Sequence, residues 1–204
     1  MNRYITISGA CICLVFVSLA APPPPPPNQL INDAVNQLIV ELSERRVELE
    51  KDRSKLYGMV ERVIVEHISV DRVAKLVLAR HWRDASAKQQ NQFAELFKNL
   101  LIHTYASAFF EYTGQEKIHI RPTKFSDDGR IASVRTDMWL SSGQPIPVNY
   151  KFVKLETGEW KIFDVTINGI SLVTTYRAGY GRIIQTQGLD GLIIRLRHKM
   201  AELQ

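Results

Sequence analysis

A chain of 204 residues with 45% apolar and 23% charged side chains is long enough for one folded domain and too apolar to be intrinsically disordered. Its formal net charge of +5, from scattered basic residues, is too modest for nucleic-acid recognition and fits attraction to anionic membrane surfaces or acidic partners. The two cysteines, Cys11 and Cys13, both lie near the N-terminus, which leaves the rest of the chain without a disulfide, a thiolate metal site or a thiol nucleophile.

Ile5 to Leu19 is an almost unbroken apolar run behind the short basic start M-N-R-Y. It is shorter than the about 20 residues a membrane helix needs, and Ser18 and Ala20 place small side chains where a signal peptidase reads. Residues 1–20 are therefore expected to be a cleavable signal peptide, cut before Ala21. Pro22 to Pro27 should then form a stiff polyproline II linker over 21–27, roughly 18 Å long at about 3.1 Å per residue. The folded domain is expected over 28–204.

Asn28 can cap a first helix in which Leu30, Ile31, Ala34, Val35, Leu38, Ile39 and Leu42 recur at helical spacing. The charged stretch from Glu41 to Arg53 should carry that helix on into solvent. A second helix is expected over Leu56 to Val65, and a third over Val70 to Arg80 with Ser69 as its cap. Ser86 to Gln89 is a capping box, and behind it Phe93, Leu96, Phe97, Leu100, Leu101, Thr104, Tyr105, Ala108 and Phe109 follow helical spacing until Thr113 and Gly114.

After Gly114 the period changes to alternation. Strands are expected over Lys117 to Phe125, Ile131 to Leu140, Ile146 to Leu155 and Trp160 to Ile167, joined by the glycine turns D-D-G-R, S-S-G-Q and E-T-G-E in an antiparallel meander. Ser171 can cap a further helix to about Gln187, and Gly188 separates it from a last amphipathic helix over Leu189 to Leu203. Helices, then a sheet of about four strands, then helices define an α+β fold. Tyr105, Phe109, Phe110, Trp139, Tyr150, Phe152, Phe163 and Tyr176 form a surplus of aromatic residues expected to face one way, compatible with a filled core or an enclosed cavity.

Catalytic signatures are missing: neither G-x-S-x-G, S-x-x-K, H-E-x-x-H nor a P-loop occurs. The histidines His67, His81, His103, His119 and His198 have no pair at i, i+3 or i+4, so no metal site is expected. Asp127 and Asp128 share a turn without further calcium-loop ligands. Asp164 sits among apolar neighbours in W-K-I-F-D-V-T-I. It is either a general base in a small enzyme or a carboxylate fixed by hydrogen bonds at an element end, and the absence of a second catalytic group favours the latter.

The strings V-A-K-L-V-L-A-R-H-W-R-D-A-S from Val73, F-A-E-L-F-K-N-L-L-I-H-T-Y-A-S-A-F from Phe93, and G-E-W-K-I-F-D-V-T-I-N-G-I-S-L-V-T-T-Y-R from Gly158 strongly resemble the MlaC family, also called the toluene-tolerance or phospholipid-binding ABC transporter auxiliary family. The likeness extends from about Asn28 to Leu203. It implies a fold related to nuclear transport factor 2, in which a curved sheet and helices enclose an apolar pocket. The implied task is that of a periplasmic, non-enzymatic phospholipid carrier between an outer-membrane lipoprotein complex and an inner-membrane MCE-protein and ABC-transporter complex, maintaining lipid asymmetry. No cofactor is implied; the phospholipid is cargo. Face assignment and the family architecture together suggest a pocket lined by Tyr105, Phe109, Met138, Val148, Tyr150, Phe152, Val165, Ile167, Ile170 and Val173. Arg135, Lys151 and Arg177 are head-group candidates at its rim, or solvated surface charges. A small enzyme using Asp164 and an adaptor with a filled core are the alternatives. Gly179 and Gly181, where the family more often has bulkier residues, should bend their helix or loosen the pocket mouth.

Overall fold

The computed structural model describes residues 23–111, 117–139 and 144–203. The expected signal peptide, the helix stop at Thr113 and Gly114, and most of the expected S-S-G-Q turn lie outside these residues. Helix α1 (Pro27–Lys51) begins before the expected cap: Pro26 is the N-cap in extended conformation (φ −69°, ψ 158°) and Pro27 takes the first helical position, where its missing N–H costs no hydrogen bond. Asn28 is inside the helix, and its side-chain oxygen accepts from the Thr123 hydroxyl at 2.9 Å. Pro27 is fully buried, whereas Pro23 to Pro26 are exposed and run past the turn at Gly158. That glycine has φ +88°, and a Cβ on it would stand 3.7 Å from Pro24 Cγ.

The charged half of α1 does not project into solvent. Leu42 and Leu49 are buried with Leu56, Met59, Val60 and Val63 of α2 (Arg53–Val63), so the two helices form a hairpin. Asp52 makes the corner, its extended backbone ending α1 and its carboxylate accepting from Ser54 N at 3.0 Å to cap α2. The charges are largely spent across this hairpin: Glu41 pairs with Arg45 at 2.7 Å and with Arg62, and Glu48 pairs with Lys55 at 2.7 Å. Exposed pairs of this kind are worth only about 0–1 kcal/mol each, so burial of the leucines decides the packing.

Helix α3 (Val70–Leu78) has no side-chain cap from Ser69; that residue's backbone N–H donates instead to Ile162 O at 2.8 Å, beside a parallel bridge between Ile68 and Ile162. The start of α3 is thus fastened to the sheet. After the short α4 (His81–Asp84), α5 (Ala87–Tyr105) has the expected capping box, with Ser86 Oγ accepting from Gln89 N and Gln89 Oε1 accepting from Ser86 N. A 3-10 segment over Ala106–Glu111 follows directly.

The expected strand over 117–125 is two strands, β1 (Lys117–Ile120) and β2 (Lys124–Phe125), because Pro122 between them cannot donate to a ladder. β3 (Ile131–Trp139), β4 (Ile146–Lys154) and β5 (Trp160–Ile167) form the meander, and β6 (Ile170–Ser171) folds back on β5. Among the described residues these strands pair antiparallel in the order β1-β3-β4-β5-β6, with β2 also against β3, giving an open sheet. A bulge between Lys151 and Phe152 makes Phe163 the unpaired residue of β5. Helix α6 (Leu172–Leu203) closes the chain and breaks at Gly188 (φ 71°, ψ 175°), a conformation open essentially only to glycine. The bend expected at Gly179 and Gly181 is absent: the helix continues through both, and a Cβ at either would meet nothing within 4 Å.

Among the described residues the apolar interior of this α+β fold divides into three clusters. Phe93, Phe97, Leu78, Tyr180 and Leu192 join α3, α5 and α6; the α1–α2 hairpin packs on Ile102 and Ala106; and Ile31 of α1 lies on Ala132, Val134, Phe152, Trp160 and Ile162 of the sheet. The helical cluster is the largest of the three, and the other two are satellites beneath α1 and the α1–α2 hairpin.

Candidate functional site

Strand register gathers one apolar face. Val134 opposes Tyr150, Thr136 opposes Val148 and Met138 opposes Ile146, while Tyr150 opposes Val165 and Val148 opposes Ile167. Because side chains alternate with period two, Met138, Val148, Tyr150, Phe152, Val165 and Ile167 share the face on which α1 lies. They are not equally covered. Phe152 is fully buried beneath α1, whereas Met138, Ile146 and Val165 are half-buried and Ile167 is 36% exposed. The uncovered end is where β3 and β5 finish and β4 begins. Ile170, paired with Ile167, is 64% exposed there, and Trp139 37%.

Helix α6 is fastened to the edge of the sheet. Asp164 on β5 accepts from the Ser171 hydroxyl at 2.9 Å through both oxygens and from Val173 N at 3.3 Å, and Ser171 Oγ in turn accepts from Thr174 N at 3.1 Å. The start of α6 is thereby locked to β5, satisfying backbone donors that the helix leaves unpaired. One turn further, Tyr176 reaches Tyr105 at the end of α5, with their hydroxyls 3.4 Å apart. Tyr105 is 41% exposed; Val173 is buried in the cluster of α3, α5 and α6, and Phe109 packs beside the α1–α2 hairpin.

Two buried hydroxyls stand out, one on the sheet face and one in the helical cluster. Thr136 is buried, and its Oγ1 has no hydrogen-bond partner among the described residues; the Tyr180 hydroxyl is likewise unpartnered. Burial pushes the Tyr150 phenol above its ordinary pKa, and burial also raises Tyr176 and Tyr180. The one signal available in sequence was threonine at an inward position of an otherwise apolar alternation, Ala132, Val134, Thr136, Met138.

The three rim candidates are not brought together. Arg135 and Lys151 alternate out of phase with Val134 and Tyr150 and stand on the opposite face of the sheet, and Arg177 Nε donates to Leu76 O at 2.8 Å, tying α6 to α3. Nor do the aromatic residues all face one way. Trp139 opposes Lys117 on the outer face, and Phe163, displaced by the bulge, lies under the Arg72 guanidinium at 5.1 Å. Among the described residues no group of three or more His, Cys, Asp or Glu side chains could hold a metal, and no helix is long and apolar enough to cross a membrane.

Asp164 is engaged in holding β5 and α6 together. Asp164→Ala is expected to lower the free energy of unfolding by about 2 kcal/mol, the worth of buried hydrogen bonds to a charged group, as read from urea denaturation. An unchanged midpoint would show the carboxylate is not needed as a clamp.

The sheet thus presents an apolar face that α1 covers only in part, a surface suited to a hydrophobic ligand. The solved phospholipid-binding protein from Ralstonia solanacearum, determined in complex with a phospholipid, superposes with a TM-score of 0.78 at 26% identity, covering 86% of this chain and 97% of that one. The family model for MlaC protein matches residues 32–198, and the chain belongs to the MlaC family. It is 25% identical over 175 residues to the intermembrane phospholipid transport system binding protein MlaC of Haemophilus influenzae, covering 85% of this chain and 81% of that protein. It is 27% identical over 164 residues to the toluene tolerance protein ttg2D of Pseudomonas putida, covering 80% of this chain and 75% of the relative.

Proposed function

We propose that this protein is a periplasmic phospholipid carrier, exported by residues 1–20, that shelters acyl chains between the sheet and the helices and moves lipid between outer-membrane and inner-membrane transport complexes, maintaining lipid asymmetry. The observation that carries the reading is the inner sheet face around Met138, Ile146, Val165 and Ile167, apolar yet incompletely covered. Tyr105, Phe109, Val148, Tyr150, Phe152, Ile170 and Val173 complete the proposed lining. Each sheltered methylene is worth about 0.8 kcal/mol, enough over two acyl chains to offset extraction from a bilayer, and a head group left in water avoids the cost of burying a phosphate. Family membership and the phospholipid held by the Ralstonia protein support the same cargo.

The test is extraction of the purified protein with organic solvent followed by mass spectrometry. Phospholipid in near-stoichiometric amount is expected; none, even after incubation with liposomes, would leave an adaptor with a filled core as the better account.

A further inference from the structure

The sheet face opposite the proposed cargo site carries a distinct charge pattern. Lys124 and Lys151 both oppose Ser133, one from β2 and one from β4. In the next row Arg121 donates its backbone N–H to Arg135 O, and beyond it His119 opposes Asp137 and Lys117 opposes Trp139. Lys117, His119, Arg121, Lys124, Arg135 and Lys151 are all exposed.

The carboxylates of this face are already engaged. Asp137 is buried between two guanidiniums, accepting from Arg121 Nε at 2.8 Å and from Arg135 Nε at 3.2 Å, so the trio keeps a net positive charge. The Arg121 hydrogen bond holds the Asp137 carboxyl below the usual carboxylate range, which keeps it ionised and paired. Asp164 is taken up by Ser171 and Val173. The exposed acids of the sheet's turns, Asp127, Asp128, Glu156 and Glu159, lie at the end away from Lys117 and Trp139.

We propose that this face is a docking surface for an anionic phospholipid bilayer. A protein partner would call for an apolar or aromatic centre from which lysine is depleted. Here the middle rows hold lysine, arginine, serine and asparagine, and the exposed aromatic residue, Trp139, stands at the edge beside Lys117. Cations spread over adjacent strands match phosphates spread over a surface, and a tryptophan at the rim suits the head-group level. Trp139 also borders the uncovered end of the inner face, so docking this way sets the mouth of the proposed cargo site beside the head groups.

Sedimentation of the purified protein with vesicles tests the proposal. At low salt the protein should co-sediment with vesicles of phosphatidylcholine mixed with phosphatidylglycerol, not with phosphatidylcholine alone, and raised salt should release it. Lys117→Glu with Lys124→Glu should weaken this binding at least about tenfold, whereas Arg182→Glu with Arg197→Glu, equal in charge change but on exposed positions of α6, should leave it nearly intact. Equal losses from both pairs would overturn the face assignment, leaving only net charge. Absence of binding to anionic vesicles, or capture of an acidic protein through Lys117 and Lys124 in its place, would overturn the bilayer as occupant. Phospholipid content measured on the same samples keeps this result separate from the cargo, because neither lysine lies on the inner face.

Discussion

Val165→Trp is expected to reduce the phospholipid that co-purifies with the protein by more than tenfold while leaving it folded. Val165 stands half-buried on β5 opposite Tyr150, on the inner face between the part covered by α1 and the uncovered end at Ile167. An indole there projects into the volume the acyl chains are proposed to fill. Displacing even two methylenes at about 0.8 kcal/mol each forfeits about 1.6 kcal/mol, more than tenfold in affinity. If the same space were a close-packed core, the indole would have nowhere to go and would cost about 1–3 kcal/mol of stability by overpacking. The measurements are lipid content by extraction and the urea midpoint. Lost lipid with a preserved midpoint supports a cargo cavity; a lost midpoint with no lipid in either protein supports a filled interior.

Features set by local chemistry were legible before the structure. The Ser86 capping box, the Ser171 cap, the β3–β4–β5 meander and the break at Gly188 each rest on residues close in sequence. Features set by distant partners were less so. The α1–α2 hairpin lay hidden in a charged run, because the residues that define it, Leu42 and Leu49, show their purpose only when α2 returns to bury them, and Asp52 reads as one charge among many until it caps. Ser69 has the composition of a cap, but the sheet offers its backbone N–H a carbonyl and its side chain is not used. At the site, alternation correctly grouped Val148 with Tyr150 and Val165 with Ile167. The same alternation places Arg135, Trp139 and Lys151 on the other face, so strand parity alone carries that information. Phe163 is different: only the bulge at Lys151 and Phe152 turns it out of phase, and a bulge has no signature in this strand's composition.

Phe93→Ala should be the most destabilising single change in the helical half, at about 3–5 kcal/mol. Phe93 is fully buried, stacked on Phe97 at 5.5 Å between ring centroids and edge-on to Tyr180 at 5.9 Å. Removing the ring leaves a cavity among α3, α5 and α6 that rigid helices cannot close, and it deletes two aromatic pairs whose geometry adds to simple burial. Against a typical total of about 5–15 kcal/mol this is a large share, readable as a fall in the urea midpoint. The consequence extends to the proposed lining, because Phe97 also meets Tyr176 edge-on at 4.9 Å, and the Tyr176 hydroxyl lies 3.4 Å from that of Tyr105. Phospholipid per folded molecule should nevertheless fall much less in Phe93→Ala than in Val165→Trp, since the sheet face itself is untouched. Equal loss of lipid in the two variants would mean that cargo is held chiefly by the helices, with the sheet as a passive lid.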